Sequence, residues 1–320
     1  MSVVVTGGTG FVGSNIVKVF AEAHGETVVV PTNTYVPTGA EYTHAPLDLT
    51  DGPAVARFMA QYEPSVIVHS AILNDFTRLY ADRRAGWAHY VEATRHVVAA
   101  ANTIGAKVIL VSTDWVFDGT QSGADETTPP NPVNLYGVMK LASELVVTEA
   151  AVDGAVARVA GVNGVGWARS ANPQSATPRS QDPGFGYFAS WIVQALSTGE
   201  PFRVWESDDI NMIATTTLAS DAAEMMWRIA DRKLHGIFHC VGGEAVSRRE
   251  LALATCAAFD LDPSLLEFGP PTSDLLLGAP VPYDTTLNAA MTAAALDYEL
   301  PDLETQLVRL RHQHQQGTLS

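Results

Sequence analysis

The sequence has few cysteines and no long apolar run. Cys240 and Cys256 are its two cysteines, too few for a disulfide framework or a structural zinc site. We interpret both as buried thiols in a reducing compartment. No run of 18 or more apolar residues occurs, so no membrane span is predicted. The N-terminus lacks a basic leader, so no signal peptide is predicted and a cytoplasmic protein is expected.

Positive charge is also scarce. Lys and Arg total 19 against 35 Asp and Glu, which gives a formal net charge of −16. A field of that sign opposes nucleic acid and anionic membranes, so neither is an expected partner. A phosphate-bearing ligand would have to be held by local backbone N–H groups. Lysine is so rare that Lys140, within an otherwise apolar helical stretch, stands out as a candidate functional residue.

The 320 residues, 47% of them apolar, are enough for a large core and two domains. In the first half, short apolar strands alternate with helices, which is typical of a parallel sheet covered on both faces. The predicted strands are 2–6, 27–30, 65–69, 107–112 and 154–159, and the predicted helices are 11–24, 54–62, 84–104 and 135–150. We therefore predict an α/β fold with a Rossmann-type doubly wound parallel sheet.

The second half is less regular, with a long polar loop over 163–185. Its predicted helices are 188–197, 221–230, 246–259, 286–296 and 303–313, and its predicted strand is 236–241. Ser247 is expected to cap the third of these helices together with Glu250. We predict an NAD(P)-binding domain over 1–161, to which roughly 212–241 return, and a smaller C-terminal α/β substrate domain over 162–320.

The first turn reads TGGTGFVG over 6–13, between a strand and a helix. The spacing of Gly7, Gly10 and Gly13 fits a dinucleotide-binding fingerprint. Glycine allows a tight turn and a close approach of the backbone to a pyrophosphate, and the helix N-terminus adds N–H groups and partial positive charge. The pattern predicts a nicotinamide dinucleotide at this turn.

The end of the second strand bears on which dinucleotide binds. Residues 30–34 (VPTNT) contain no acidic residue that would hold a ribose 2′-hydroxyl and repel a 2′-phosphate. The absence of that acid removes an obstacle to NADP, which is therefore favoured, although no arginine stands there to hold the 2′-phosphate; NAD stays open. Asp48 follows in the segment Leu47–Leu49, where it would accept from the adenine amino group or simply cap a helix near Thr50.

A candidate acid–base group lies further along the chain. Ser112, Thr113 and Asp114 close an apolar strand, and the carboxyl ends of parallel strands line the ligand crevice. Tyr136 and Lys140 are four residues apart on a predicted helix, so their side chains share a face. A nearby ammonium lowers the pKa of a phenol towards the working pH. Together these residues are suited to give a proton to a carbonyl oxygen whose carbon accepts a hydride.

These motifs resemble the extended short-chain dehydrogenase/reductase family. The resemblance rests on TGGTGFVG, STDWVFDG (112–119), NPVNLYGVMK (131–140) and Glu144, and covers nearly the whole chain. STDWVFDG and PVPYDTTL (280–287) are most similar to its dTDP-4-dehydrorhamnose reductase branch, which also includes a regulatory subunit of methionine adenosyltransferase.

The resemblance implies roles for particular residues. It implies a catalytic triad of Thr113, Tyr136 and Lys140 and a sugar-nucleotide substrate near Asp114. Separately, Asn163 follows the strand that bears Arg158 and would either face the substrate or form a turn. The cofactor contacts that the resemblance implies are Gly7, Gly10, Phe11, Val12, Gly13, Asp48, its neighbour Leu49, Ala71 and Lys140. It also suggests a homodimer in which helices 84–104 and 135–150 pair across a two-fold axis.

Several residues depart from the family pattern. Tyr90 stands where an asparagine is usual, Val281 where an arginine is usual, and 208–215 lack a proline. Trp115 replaces the Glu of sugar-nucleotide dehydratases, which argues against dehydration. We expect a keto-sugar-nucleotide reductase; an epimerase that retains its cofactor and a non-catalytic, cofactor-binding regulatory subunit are the alternatives.

A few further residues have two interpretations. His69 ends a predicted strand and is expected to be a core histidine rather than a ligand-binding one. Arg169 and Arg179, in the polar loop, would meet a diphosphate or remain solvated. The aromatic residues Trp115, Tyr187 and Trp191 would wall a pocket or belong to the core.

Overall fold

The computed structural model describes residues 1–33, 35, 42–73, 75–168, 184–272 and 278–319. Within these ranges the strands, in chain order, are β1 (Ser2–Thr6), β2 (Thr27–Thr32), β3 (Thr43–Pro46), β4 (Val66–His69), β5 (Lys107–Thr113), β6 (Gly154–Val159), β7 (Val162–Asn163), β8 (Phe202–Trp205), β9 (Ile213–Thr215), β10 (Thr217–Leu218), β11 (Gly236–His239), β12 (Ala245–Ser247), β13 (Leu266–Gly269) and β14 (Asp284–Thr285). The α-helices are α1 (Phe11–Lys18), α2 (Gly52–Tyr62), α3 (Phe76–Ala81), α4 (Arg83–Trp87), α5 (Ala93–Ile104), α6 (Leu135–Ala150), α7 (Phe188–Ser197), α8 (Ala219–Asp231), α9 (Arg248–Phe259), α10 (Ala290–Leu296) and α11 (Leu303–Gln316).

The main layer is a parallel sheet of seven strands, in the order β11-β6-β5-β4-β1-β2-β3. The order runs outward from β1 in both directions, as in a doubly wound fold. The predicted Rossmann-type sheet is therefore confirmed. Because all seven strands run the same way, their carboxyl ends meet along one edge, where a ligand crevice forms.

Both faces of this sheet are covered, and neighbouring residues of one strand serve opposite faces. Val3 and Val5 of β1 pack in the cluster that contains α1 and α8. Val4, between them, packs in the cluster that contains α2 and α5. A strand buried on both sides must be apolar at every position, which explains the continuous run at the start of the sequence.

A second group of elements lies in the other half of the chain. It comprises a three-stranded sheet, β12-β9-β14, the pair β13-β8, and the pair β10-β7. Helices α7, α9 and α11 pack around its core. β11, from the same half of the sequence, joins the edge of the main sheet beside β6. The division of the chain into domains at 161 stays a prediction.

Three predicted helices differ from the observed elements. The predicted helix over 11–24 is α-helical only as far as Lys18 and continues as a π-helical turn at Val19–Ala23. The predicted helix over 84–104 begins as α4, passes through a π-helical turn at Ala88–Glu92 and continues as α5. Within that turn the carbonyl of Tyr90 accepts hydrogen bonds from Thr94 Oγ1 at 2.6 Å and Ser143 Oγ at 3.1 Å. Hydroxyl donors of this kind compete with the helical ladder, which accounts for the irregular turn.

The prediction that a helix begins at 286 is wrong. The carbonyl of Thr286 accepts a bond from Gly123, and Leu287 forms a parallel bridge with Ala124. The chain is therefore extended there, and α10 begins only at Ala290. The capping box at the start of α9, formed by Ser247 and Glu250, is confirmed.

Two other sequence expectations concern the whole chain. Among the residues that the structure describes, no helix combines the length and apolar character needed to cross a bilayer. Cys240 and Cys256 are both buried and free, as predicted.

Candidate active site

The glycine-rich segment forms a tight turn between β1 and α1. Gly7 has a φ of +70°, which favours glycine, and its carbonyl accepts a bond from the Gly10 amide at 2.8 Å. A Cβ on Gly13 would lie only 2.1 Å from the Gly7 carbonyl oxygen. The turn thus leaves bare backbone beside the N-terminus of α1, an arrangement that fits the pyrophosphate of a dinucleotide.

Other residues implied in cofactor binding surround this turn. A Cβ on Gly7 would lie 2.7 Å from Ala71 Cα, so the end of β4 approaches the turn closely. Phe11 packs its ring against that of Tyr187 with centroids 4.1 Å apart, and Val12 packs at the edge of the adjacent core. Their contact with a cofactor stays a prediction.

Asp48 and Leu49 lie beyond the end of β3. Asp48 Oδ1 accepts bonds from the Thr50 amide at 2.9 Å and the Thr50 hydroxyl at 2.8 Å. These bonds hold the pKa of Asp48 below its usual value. The Leu49 carbonyl accepts a bond from His96 Nδ1 at 3.0 Å. Asp48 therefore serves a local turn, and its contact with an adenine stays a prediction.

Tyr136 and Lys140 lie on the first turns of α6. Asn134 caps this helix by accepting the Gly137 amide at 2.9 Å. A Cβ on Gly137 would lie 2.2 Å from the Trp115 carbonyl oxygen, so glycine lets α6 approach the end of β5 closely. Lys140 is 4% exposed and donates to the Val111 carbonyl. Burial lowers the pKa of Lys140 to about 8, and Glu144 opposes that shift.

Aromatic rings surround Tyr136. Phe76, Trp115 and Tyr90 meet its ring nearly edge-on, with centroids 5.4, 5.8 and 6.1 Å away. Tyr90 stands in the family's asparagine position, and its hydroxyl donates to the Leu73 carbonyl at 3.1 Å. A tyrosine at position 90 therefore adds an aromatic ring next to the phenol of Tyr136.

Thr113 ends β5, as predicted, and contacts Asp114. Thr113 Oγ1 donates to Asp114 Oδ1 at 2.9 Å and accepts from the Trp115 amide at 3.3 Å. Asp114 is 5% exposed and also receives a bond from Thr285. Burial raises the pKa of Asp114 to about 6, against the effect of both hydroxyl donors.

Replacing Asp114 with Asn is expected to stabilise the protein by about 1–3 kcal/mol at pH 8. The folded state holds the proton of Asp114 more tightly than the unfolded chain does, so the charged carboxylate destabilises the fold above pH 6. A shift of about two units corresponds to about 3 kcal/mol. This cost disappears as the pH falls from about 6 towards 4, so the gain should disappear too.

Urea unfolding of the wild type and Asp114→Asn at pH 8 and pH 5 measures this difference. The exposed Asp209→Asn is the control and should change little at either pH. An equal gain at both pH values, or a loss at pH 8, would contradict the assignment.

His69 lies beneath the site and is 2% exposed. Its ring nitrogens lie 2.6 Å from Thr6 Oγ1 and 3.2 Å from Thr94 Oγ1. Burial, together with the charge of Lys140, lowers the pKa of His69 to about 3. It is a neutral, hydrogen-bonded core histidine, which confirms the favoured interpretation.

Asn163 uses its side chain to organise the local backbone. Its amide nitrogen donates to the Gly161 carbonyl at 2.8 Å, and its oxygen accepts from the Ala189 amide at 2.9 Å. These bonds match the turn interpretation, and its contact with a substrate stays a prediction. Arg169 and Arg179 lie outside the described residues. Of the candidate pocket aromatics, Trp115 is buried, while Tyr187 and Trp191 are half-buried.

A buried charged group behind Lys140 was not predicted. Glu144 accepts from Arg158 Nε at 3.0 Å and from its Nη2 at 2.7 Å, and also from the Ser112 hydroxyl. The three residues come from α6, β6 and β5. The one available signal was a lone arginine inside the apolar strand 154–159, because an arginine there must find a partner.

The parallel sheet, the glycine turn and the Tyr136–Lys140 pair define the extended short-chain dehydrogenase/reductase class. More specifically, the chain belongs to the family described as RmlD substrate binding domain, whose model matches residues 1–315. It is 29% identical over 296 residues to methionine adenosyltransferase 2 subunit beta of Bos taurus, covering 90% of this chain and 80% of that protein.

Two further relatives are dTDP-4-dehydrorhamnose reductases. The protein of Streptomyces griseus is 27% identical over 236 residues, covering 73% of this chain and 71% of that one. The structure of the Bacillus anthracis protein, in complex with NADP, has a TM-score of 0.74 at 20% identity and covers 97% of this chain and 98% of that chain. At that identity the likeness concerns the fold alone.

Proposed function

We propose that this chain reduces a keto group of a sugar nucleotide with NADPH. The observation that carries the proposal is the buried Lys140 one helical turn from Tyr136, at the sheet edge where Thr113 ends β5. The NADP in the Bacillus anthracis relative and the reductase from Streptomyces griseus support the same cofactor and substrate class.

Four groups of residues in the chain would each contact a different part of the cofactor. The turn over 6–13 would receive the pyrophosphate, and Ala71 would line the path towards the nicotinamide. Asp48 and Leu49 would contact the adenine, and Lys140 would bind the nicotinamide ribose. Residues 30–33 carry no acid that would repel a 2′-phosphate, so NADP is preferred and NAD is the alternative. When bound, this cofactor supplies the hydride.

Three side chains would then act on the reduction of the substrate carbonyl. Tyr136 donates its phenolic proton to the carbonyl oxygen as the carbon accepts the hydride. Lys140 favours the resulting phenolate, because its ammonium stabilises the negative charge. Thr113 would polarise the carbonyl by turning its hydroxyl proton, which in the structure is donated to Asp114, towards the substrate oxygen. Trp115, in the place of a dehydratase glutamate, leaves reduction as the favoured chemistry.

A non-catalytic regulatory subunit is the second candidate. The observation that favours it is the likeness to methionine adenosyltransferase 2 subunit beta. The two candidates differ in a direct assay, which follows NADPH absorbance after 4-keto sugar nucleotides are added to the purified chain. Substrate-dependent oxidation supports the reductase; tight NADPH binding without oxidation by any substrate supports the regulatory subunit. Cofactor that copurifies and survives gel filtration would favour an epimerase.

The helices next to the site also support a homodimer. Helices α5 and α6 lie side by side, and α6 leaves Val138 and Leu145 45% and 53% exposed. These residues are seven apart, so they share one helical face. Trp87, at the end of α4, is 46% exposed. We propose that this face pairs with its copy across a two-fold axis.

Leu145→Glu is expected to convert the dimer into a monomer, because a carboxylate would be desolvated at the interface. Light scattering at tens of micromolar protein measures the mass, which should halve. Leu253→Glu is the control, since Leu253 is similarly exposed on α9 and should not change the mass. A monomeric wild type would contradict the proposed interface.

A further inference from the structure

Glu144 occupies a fully enclosed position one turn beyond Lys140 on α6. It is 2% exposed, Arg158 is 1% exposed and Ser112 is 2% exposed. Arg158 donates to both carboxylate oxygens of Glu144, from Nε at 3.0 Å and from Nη2 at 2.7 Å. The Ser112 hydroxyl donates to one of the same oxygens. This geometry fixes the carboxylate in one orientation, because each oxygen has a partner from a strand of the main sheet.

Arg158 also contacts residues other than Glu144. Its guanidinium lies over the Phe117 ring at 5.1 Å, and its Nη1 lies 3.4 Å from His239 Nε2. His239 Nδ1 lies 3.0 Å from the Asn288 carbonyl oxygen. A carbonyl only accepts, so Nδ1 carries the proton and Nε2 accepts from Arg158. Arg158 therefore cannot turn away from Glu144 without losing these contacts.

Lys140, one helical turn before Glu144 on α6, is also enclosed. The groups that face Lys140 are the Val111 carbonyl of β5, the neutral His69 of β4, and Tyr136 and Glu144 of its own helix. Burial disfavours its ammonium form, and Glu144 is the carboxylate that offsets this effect. Positions four apart on a helix share a face, so the charge of Glu144 acts on Lys140.

We propose that Glu144 is a positioning residue for the reduction: held by Arg158 and Ser112, it supplies the negative charge that keeps the Lys140 ammonium in place beside Tyr136. The inference rests on the proposed function. The competing interpretation is a purely structural ion pair that ties α6 to β6. A structural pair would affect stability when broken, but it would leave the titration of Lys140 unchanged.

The test is the titration of Lys140 itself, followed by NMR in protein labelled with ¹³C at lysine Cε. The chain has only four lysines, and the signal that Lys140→Met removes identifies the one of interest. Glu144→Gln keeps the size of the side chain and removes its charge, and it replaces one accepting oxygen with an NH2 group that cannot accept from Arg158. Loss of a nearby negative charge should lower the Lys140 midpoint by about one to two pH units.

The pH profile of kcat/KM should change in the same direction. The alkaline limb, where Lys140 loses its proton, should move to lower pH in Glu144→Gln, so turnover at pH 8 falls about tenfold while turnover at pH 6 changes little. The double variant Glu144→Gln/Arg158→Met removes the unpaired guanidinium and carries the same test if the single variant does not fold. Its midpoint should lie between those of the wild type and the single variant.

An unchanged Lys140 midpoint in a folded Glu144→Gln or double variant would overturn the inference, even if stability falls. Failure of the proposed function is distinguishable. If Lys140→Met retains full reductase turnover, the reduction does not use Lys140 at all, whatever the titration shows. If Lys140→Met is inactive and the midpoint moves as expected, both proposals stand.

Discussion

Replacing Tyr136 with Phe is expected to lower kcat/KM for reduction of a keto sugar nucleotide by about 10²- to 10⁴-fold, the range for loss of a general acid. The variant cannot donate a proton to the developing alkoxide, and the other hydroxyl within one helical turn of Lys140 on α6, that of Ser143, donates to the Tyr90 and Met139 carbonyls instead. The loss should fall mainly on kcat, because the proton moves in the transition state. Steady-state oxidation of NADPH measures it.

The fold should tolerate this change. The Phe ring would keep the edge-on packing against Phe76, Trp115 and Tyr90, so Tm and NADPH affinity should stay close to those of the wild type. Tyr62→Phe is the matched control, since Tyr62 lies on α2 and packs against Phe58 in a different cluster. Undiminished turnover in Tyr136→Phe would contradict the proton-donor role.

Replacing Gly13 with Ala is expected to weaken NADPH binding by about 10- to 100-fold. The new Cβ would lie 2.1 Å from the Gly7 carbonyl oxygen, so the turn must open and its N–H groups must leave the pyrophosphate. Loss of one charge-assisted hydrogen bond, worth about 1.5–3 kcal/mol, accounts for the size of the effect. Titration of NADPH fluorescence measures the affinity.

Gly166→Ala is the control for this second variant. A Cβ on Gly166 would meet Phe11 Cδ2 at 3.9 Å, an ordinary contact, so its affinity for NADPH should match that of the wild type. If Gly13→Ala binds NADPH as tightly as the control, the cofactor does not lie on this turn.

The sheet was predictable because its strands are buried on both faces. Strands such as β1 are then apolar at every position, and the glycine turn that follows marks the change to a helix. Bounds that depend on tertiary contacts were not predictable. The π-helical turn around Tyr90 depends on the Ser143 hydroxyl from α6, and the late start of α10 depends on the bridge between Ala124 and Leu287.

In the candidate site, too, local features were predictable from the sequence and tertiary contacts were not. The spacing of Tyr136 and Lys140 is local, so a helical pattern was enough to place both side chains on one face. Two partners of Asp114 and Glu144 come from other segments of the chain, and no spacing in the sequence indicates them. Thr285 reaches Asp114 across 171 positions of the chain, and Arg158 reaches Glu144 from the adjacent strand.

The buried carboxylate of Asp114 is expected to lower the stability of the folded protein. Its carboxyl is enclosed and its pKa is raised to about 6, so near neutral pH the fold carries a charged group that burial disfavours. A neutral amide would remove that cost, yet the position holds an acid next to Thr113. Such a conflict between local stability and residue type is common where a side chain serves a ligand.

Deuteride transfer tests the central claim most directly. The purified chain is mixed with NADPH deuterated at the transferable C4 position and with a panel of 4-keto sugar nucleotides, and the products are analysed by mass spectrometry. The proposed reduction predicts one deuterium at the former carbonyl carbon of at least one sugar, with loss of that transfer in Tyr136→Phe. NADPH that is bound but transfers no deuterium to any member of the panel would contradict the claim.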